Sequence, residues 1–159
     1  MFNFFHKNKK QEIYAPISGV TIDLSRVPDE AFSEKILGDG VAIIPNSGEI
    51  LSPVDGVIEQ VVETSHAYCI RSNDGLEILI HVGIDTVKLN GEGFEVYVSK
   101  NQSVKKGDLI AKVDLDVLRN KGYNLHTPVI ITNMSEIKNL STINEPVEAG
   151  KTVIMTYEK

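Results

Sequence analysis

"ETSHAYCIRSNDGLEILIHVG", residues Glu63–Gly83, sets two strand-like runs around a turn signal. Ala67–Arg71 and Glu77–Val82 are rich in aliphatic residues, and "SNDG" (Ser72–Gly75) between them marks a hairpin. One histidine accompanies each run, His66 just ahead of the first and His81 within the second. If the loop has four residues, Arg71 pairs with Leu76 and His66 lies directly opposite His81. Their Cβ atoms would then be roughly 4.5–5.5 Å apart. A two-residue Asp74–Gly75 turn makes them diagonal neighbours on one face. A three-residue loop puts them on opposite faces, because side chains alternate along a strand. The four-residue register is the expectation. It places Thr64 on the face of His66, opposite Gly83, whose missing side chain leaves space beside His81. Cys69 is an odd number of residues from His66, so it is expected on the other face, in the core.

Outward from this hairpin the same grammar continues. Glycine and proline punctuate short apolar runs, including Gly19–Leu24, Val41–Ile44, Val57–Val62, Leu109–Val113, Val129–Ile131 and Thr152–Tyr157. Many short strands with turns between them predict an all-β chain, an antiparallel β-sandwich or barrel. Two short helical turns interrupt it. "DLDVLRNKG" has Asp114 as N-cap and Gly122 just past its end, and a second turn follows Pro28. Weak repeats recur: "APISGV" (Ala15–Val20) with "SPVDGV" (Ser52–Val57), and "VKKGDLI" (Val104–Ile110) with "VEAGKTV" (Val147–Val153). They read either as two common turn types or as an internal duplication.

Bulk properties narrow the function. The chain has 159 residues, enough for one domain with a sizeable core. Its formal net charge is −6, from 16 basic and 22 acidic side chains, which argues against nucleic acid as a partner. One cysteine allows no intrachain disulfide, which suits a cytoplasmic location. No apolar stretch approaches the roughly 20 residues of a membrane span. Residues 1–12 are expected to form a flexible arm ahead of a domain over 13–159. The arm, "MFNFFHKNKK" and beyond, reads as a solvated tail. Its three phenylalanines and three lysines also suit a weak peripheral contact with an anionic membrane.

A histidine pair on a β-surface supports three chemistries. It can be a hydrogen-bonded structural pair. It can ligate a metal, although two imidazoles are too few for a closed zinc site. Or one imidazole can act as a nucleophile toward phosphorus while the other donates to the phosphoryl oxygens. Neutral imidazole is available near pH 7, since its ordinary pKa is about 6.5. No Walker-type glycine loop or cluster of magnesium-binding carboxylates appears, so ATP is not expected to bind.

"GLEILIHVGIDTV" (Gly75–Val87) resembles the active-site signature of the glucose-type IIA components of the bacterial phosphoenolpyruvate:sugar phosphotransferase system. "APISG", "VPDEAFSEKILGDGVAI", "SPVDGVI", "ETSHA", "LNGEGF", "VKKGD" and "TPVIITNM" extend the resemblance over all but about the first dozen residues. It implies an internally duplicated antiparallel β-sandwich. It also implies that His81 is phosphorylated on Nε2, that His66 hydrogen-bonds the phosphoryl group and that Thr64 orients the pair. Phosphorylated HPr would be the donor, and a cysteine of a sugar-permease IIB domain the acceptor. Phe32, Val62, Leu79, Ile80 and Val87 match the apolar partner surface, and Asp29 and Asp85 its acidic rim. No cofactor or metal is implied. "KNQSVKKGDLIAKVD" is also similar to half of a biotinyl or lipoyl carrier domain, but the tip "SNDG" lacks the lysine that module modifies. A related zinc-endopeptidase fold needs a His-x-His pair, and this chain reads "HVG" from His81.

Overall fold

In a computed structural model, which describes residues 10–159, the alternation of the opening hairpin is plain. Ile78 and Ile80 turn to one side of their strand and are fully buried, while Glu77, Leu79 and His81 take the other side and are half-buried. The described residues form fourteen strands. They are β1 (Gln11–Tyr14), β2 (Gly19–Asp23), β3 (Asp39–Pro45), β4 (Glu49–Leu51), β5 (Gly56–Val61), β6 (Ala67–Ser72) and β7 (Glu77–His81), then β8 (Phe94–Val96), β9 (Ser103–Val104), β10 (Leu109–Val113), β11 (Thr127–Ile131), β12 (Lys138–Thr142), β13 (Pro146–Val147) and β14 (Val153–Glu158). Every pairing is antiparallel. The large sheet runs β13-β2-β3-β11-β7-β6-β5-β9, and two three-stranded sheets run β1-β14-β12 and β4-β10-β8. The sheets remain open, a sandwich rather than a closed barrel.

The main core fills the space between the large sheet and the two small ones. Ile43, Tyr68, Ile70, Ile78 and Ile80 meet Ile13, Ile50, Ile110 and Ile154 there. Burying each such aliphatic side chain is worth about 1.5–3 kcal/mol. A smaller cluster lies on the opposite face of the large sheet. Ile22, Ala42, Ile130 and Leu79 are capped by Leu24, Val27, Phe32 and Ile84. Strand β11 lies under both clusters, which is why all five of its residues are buried.

The sequence repeats are a duplication. Gly19 opens β2 and Gly56 opens β5, and a Cβ on either would meet a carbonyl oxygen of the neighbouring strand at 2.0 or 2.1 Å. Their surroundings match bond for bond. Asn46 N donates to Ser18 O as Asn73 N does to Asp55 O. Ala149 N donates to Ser18 Oγ as Lys106 N does to Asp55 Oδ1. Val147 pairs with Gly19 as Val104 pairs with Gly56. The large sheet is therefore palindromic about the β7–β11 seam.

Helix α1 (Glu30–Ser33) is capped by Asp29, whose Oδ1 accepts from Ala31 N at 2.9 Å. Helix α2 (Leu115–Asn120) is capped by Asp114, and Gly122 follows it at φ +86°. Two expectations need amendment. Gln11 and Glu12, expected in the flexible arm, instead pair with Tyr157 and Thr156 in β1–β14. Of the rest of the proposed arm, Lys10 is exposed and residues 1–9 lie outside the described residues, as does the membrane contact expected of them. Strands β1, β9, β12 and β13 were also not expected from sequence.

Candidate active site

The hairpin register is the three-residue one. Ser72 N donates to Leu76 O, Cys69 faces Leu79, and Ala67 faces His81. Strict alternation would then part His66 from His81, yet their ring centroids lie 4.8 Å apart, edge to face. The reason is that His66 precedes the ladder. It closes the loop joining β5 to β6, directly after Ser65 at φ +65°, and the pleat of β6 begins only at Ala67. His81 is likewise the last residue of β7. The expected opposite pairing of the two histidines is thus wrong, while the expected meeting of their rings is right. Cys69 is also corrected. It is half-buried on the outer face beside Leu79, the face of His81, and not in the core.

The two rings are held differently. His81 Nδ1 lies 2.8 Å from Gly83 O. A carbonyl only accepts, so Nδ1 carries the proton and Nε2 keeps its lone pair. Gly83 does more than leave space, as the sequence suggested. It turns at φ +76°, and a Cβ there would lie 2.6 Å from Thr86 Cγ2. Ile84 N donates to Asn124 O at 3.0 Å, and Thr86 Oγ1 donates to Val82 O at 2.6 Å, fixing this turn. His66 Nδ1 instead lies 2.8 Å from Thr64 Oγ1. If that hydroxyl donates, Nε2 of His66 carries the proton and is a hydrogen-bond donor. Burial pushes the His81 imidazole below its ordinary pKa, against the opposing pull of its bond to Gly83 and the charges of Asp29 and Asp85. Burial and the neighbouring His81 push His66 down to about 4. Both rings are neutral near pH 7. The site therefore offers a nucleophilic nitrogen beside a second imidazole able to donate.

Thr64, His66 and His81 come together as expected. The residues assigned to the partner surface divide. Val87 is 48% exposed, Asp85 is exposed, and Val62, Leu79 and Asp29 are half-buried. Ile80 is fully buried and turned into the main core, so it lines no surface. Phe32 is 3% exposed, and its ring packs 5.1 Å from that of His81, so it supports that ring and offers little surface of its own. The carbonyl of Gly83 is the functional group that sequence reasoning missed; the glycine two residues after His81 was its signal. Among the described residues no cluster of three or more His, Cys, Asp or Glu could hold a metal ion. Nor is any described helix long and apolar enough to cross a membrane.

Fold and site together define a small antiparallel β-sandwich that holds two neutral imidazoles edge to face, one of them with Nδ1 tied to a carbonyl. Residues 11–137 match the family model of the phosphoenolpyruvate-dependent sugar phosphotransferase system, EIIA 1. The chain belongs to this family. It is 48% identical over 155 residues to the PTS system glucose-specific EIIA component of Buchnera aphidicola subsp. Acyrthosiphon pisum, covering 98% of this chain and 96% of that one. It is 45% identical over 154 residues to the component of the same name from Haemophilus influenzae, covering 97% and 93%. The solved structure of glucose permease IIA from Mycoplasma capricolum superposes with a TM-score of 0.88 at 39% identity, covering 94% of this chain and 96% of that one.

Proposed function

We propose that this chain is a phosphocarrier that takes a phosphoryl group from phosphorylated HPr onto His81 Nε2 and passes it to a cysteine of a sugar-permease IIB domain. The observation that carries the reading is the Nδ1–H of His81 held by the Gly83 carbonyl, which leaves Nε2 free beside His66. The Nε2 lone pair forms a new P–N bond as the bond from phosphorus to HPr breaks. No proton has to leave, because Nε2 carries none. In the second step a cysteine thiolate attacks phosphorus and the His81 nitrogen departs as neutral imidazole. Positioning and charge stabilisation supply most of the catalysis in such transfers. Val87, Leu79 and Val62 form the apolar part of the docking face, with Asp29 and Asp85 at its rim. This chemistry belongs to the cytoplasmic side of the membrane. The relatives named above are glucose-specific, so a glucose IIB domain is the first acceptor to try.

The test is incubation with phosphoenolpyruvate, enzyme I and HPr, followed by mass analysis at neutral pH. One acid-labile phosphoryl increment is expected on the peptide containing His81, and none on folded His81→Ala. Labelling of that variant would refute the assignment.

A further inference from the structure

We propose that Tyr68 is a positioning residue for phosphoryl transfer, holding the Ser65 carbonyl through its buried hydroxyl and thereby keeping the His66 ring against His81. The inference rests on the functional reading above and concerns how its second histidine is placed. His66 lies just before the first residue of β6 and is held to the ladder only through its carbonyl, which accepts from Val82 N, so something other than pleat geometry must set its ring. It sits in the four-residue loop between Val62 and Ala67, where Val62 N donates to Ala67 O and Ser65 N donates to Val62 O. Ser65 adopts φ +65°, a conformation rare outside glycine, and such a residue persists only when its surroundings over-determine it. Tyr68 supplies that determination from inside the molecule. Its side chain is fully buried, between Val61 and Ile80 across the two ladders. Its hydroxyl is the only polar atom of that side chain, and it donates to Ser65 O at 2.6 Å. Phenylalanine would fill the same core volume, so the hydroxyl serves the loop rather than the packing. The constraint then reaches His66 directly. His66 is the next residue, its own carbonyl accepts from Val82 N at 2.8 Å, and its ring meets Thr64 Oγ1. Loss of the Tyr68 bond frees one end of a segment whose other end is tied to Val82, just past β7.

Tyr68→Phe tests this, alone and combined with Ser65→Gly, with Ile110→Val as a core substitution in β10. The readouts are melting temperature, the NMR resonances and titration of the His66 ring, and quench-flow rates with HPr and IIB. Tyr68→Phe should fold and label fully on His81, but both rates should fall about tenfold, the worth of one well-made hydrogen bond. The His66 titration should rise from about 4 toward its ordinary 6.5 as the ring loosens. Ser65→Gly in that background should restore part of both signals, since glycine takes positive φ freely. Ile110→Val should lower the melting temperature and leave His66 and the rates unchanged. Tyr68→Phe with a wild-type His66 titration and wild-type rates overturns the proposal, as does equal slowing by Ile110→Val. Should the phenylalanine variant not fold, p-fluorophenylalanine at position 68 fills the hydroxyl's space without donating and is read the same way. The His66 resonances report positioning even if the wild type accepts no phosphoryl group, so the two readings fail separately.

Discussion

His66 and His81 are one residue type set to two tasks, and what holds each Nδ1 makes the difference. A carbonyl fixes His81 with Nε2 bare, whereas a hydroxyl, able to donate, lets His66 present an N–H. In the proposed reaction His66 stabilises charge on the phosphoryl oxygens in flight, and losing one such donor typically costs about 10²–10³ in rate. His66→Ala should therefore still be labelled on His81 at long times, with transfer slowed in both directions. His66→Gln should recover part of the rate, since its amide can donate. Wild-type rates in both variants would reduce His66 to a neighbour. The same burial has a stability consequence. Folding lowers the His66 pKa to about 4 from 6.5, so between those values the unfolded chain binds a proton that the folded chain refuses. Stability must then fall as pH drops through that window. From pH 7 to about 5.5, where carboxylates still hold their charge, the wild-type melting temperature should fall more steeply than that of His66→Gln. Parallel curves would mean that His66 charges freely in the folded protein.

Among the elements, glycines at strand starts carry the sharpest constraint. Gly19→Ala and Gly56→Ala each drive a methyl into backbone rather than into a movable side chain. Each should destabilise by about 1–3 kcal/mol or more, by similar amounts because their settings are duplicates, as read from urea unfolding. A loss in one and none in the other would contradict the equivalence. Much at this scale could be read in the residues. "SNDG" did mark a hairpin, Asp114 and Gly122 did bracket a helix, and the proline–glycine repeats did open equivalent strands. The register could not be settled by counting apolar residues, because both loop lengths leave them alternating. Conformation decided it: Gly75 at φ +92° ends a three-residue loop, the form in which a glycine takes the left-handed position. The meeting of the His66 and His81 rings was legible for a reason that did not hold, since the two residues are not paired and His66 escapes alternation through Ser65. β9 and β13 have two residues each, too short for any period to show.

On the scale of the whole molecule, charge bears on docking. The net charge of −6 and the carboxylates of Asp29 and Asp85 around His81 favour a basic docking partner. Raising salt from about 0.05 to about 0.5 M shortens the screening length several-fold. The bimolecular rate of transfer from phosphorylated HPr should drop accordingly, while the rate within the docked complex should not. Asp85→Asn should flatten that salt dependence. Asp29→Asn should do likewise and keep α1, because asparagine also caps helices. A salt-independent rate would remove the acidic rim from the docking step.

The palindromic sheet is built from unequal stretches of chain. One half, β5, β6, β7 and β9, is continuous from Gly56 to Val104, whereas the other joins β2 and β3 to β11 and β13 across everything between. Contacts in the continuous half are mostly between neighbouring hairpin strands. Val20 with Pro146, and Gln11 with Tyr157, close nearly the whole chain. Long closures form slowly, since chain entropy is lost before any contact rewards it. On a ribosome, the nested half can form while the chain is still growing, and the enclosing half must wait for the last strands. The two histidines can thus meet before Asn124, which pins the turn after His81, has joined the chain.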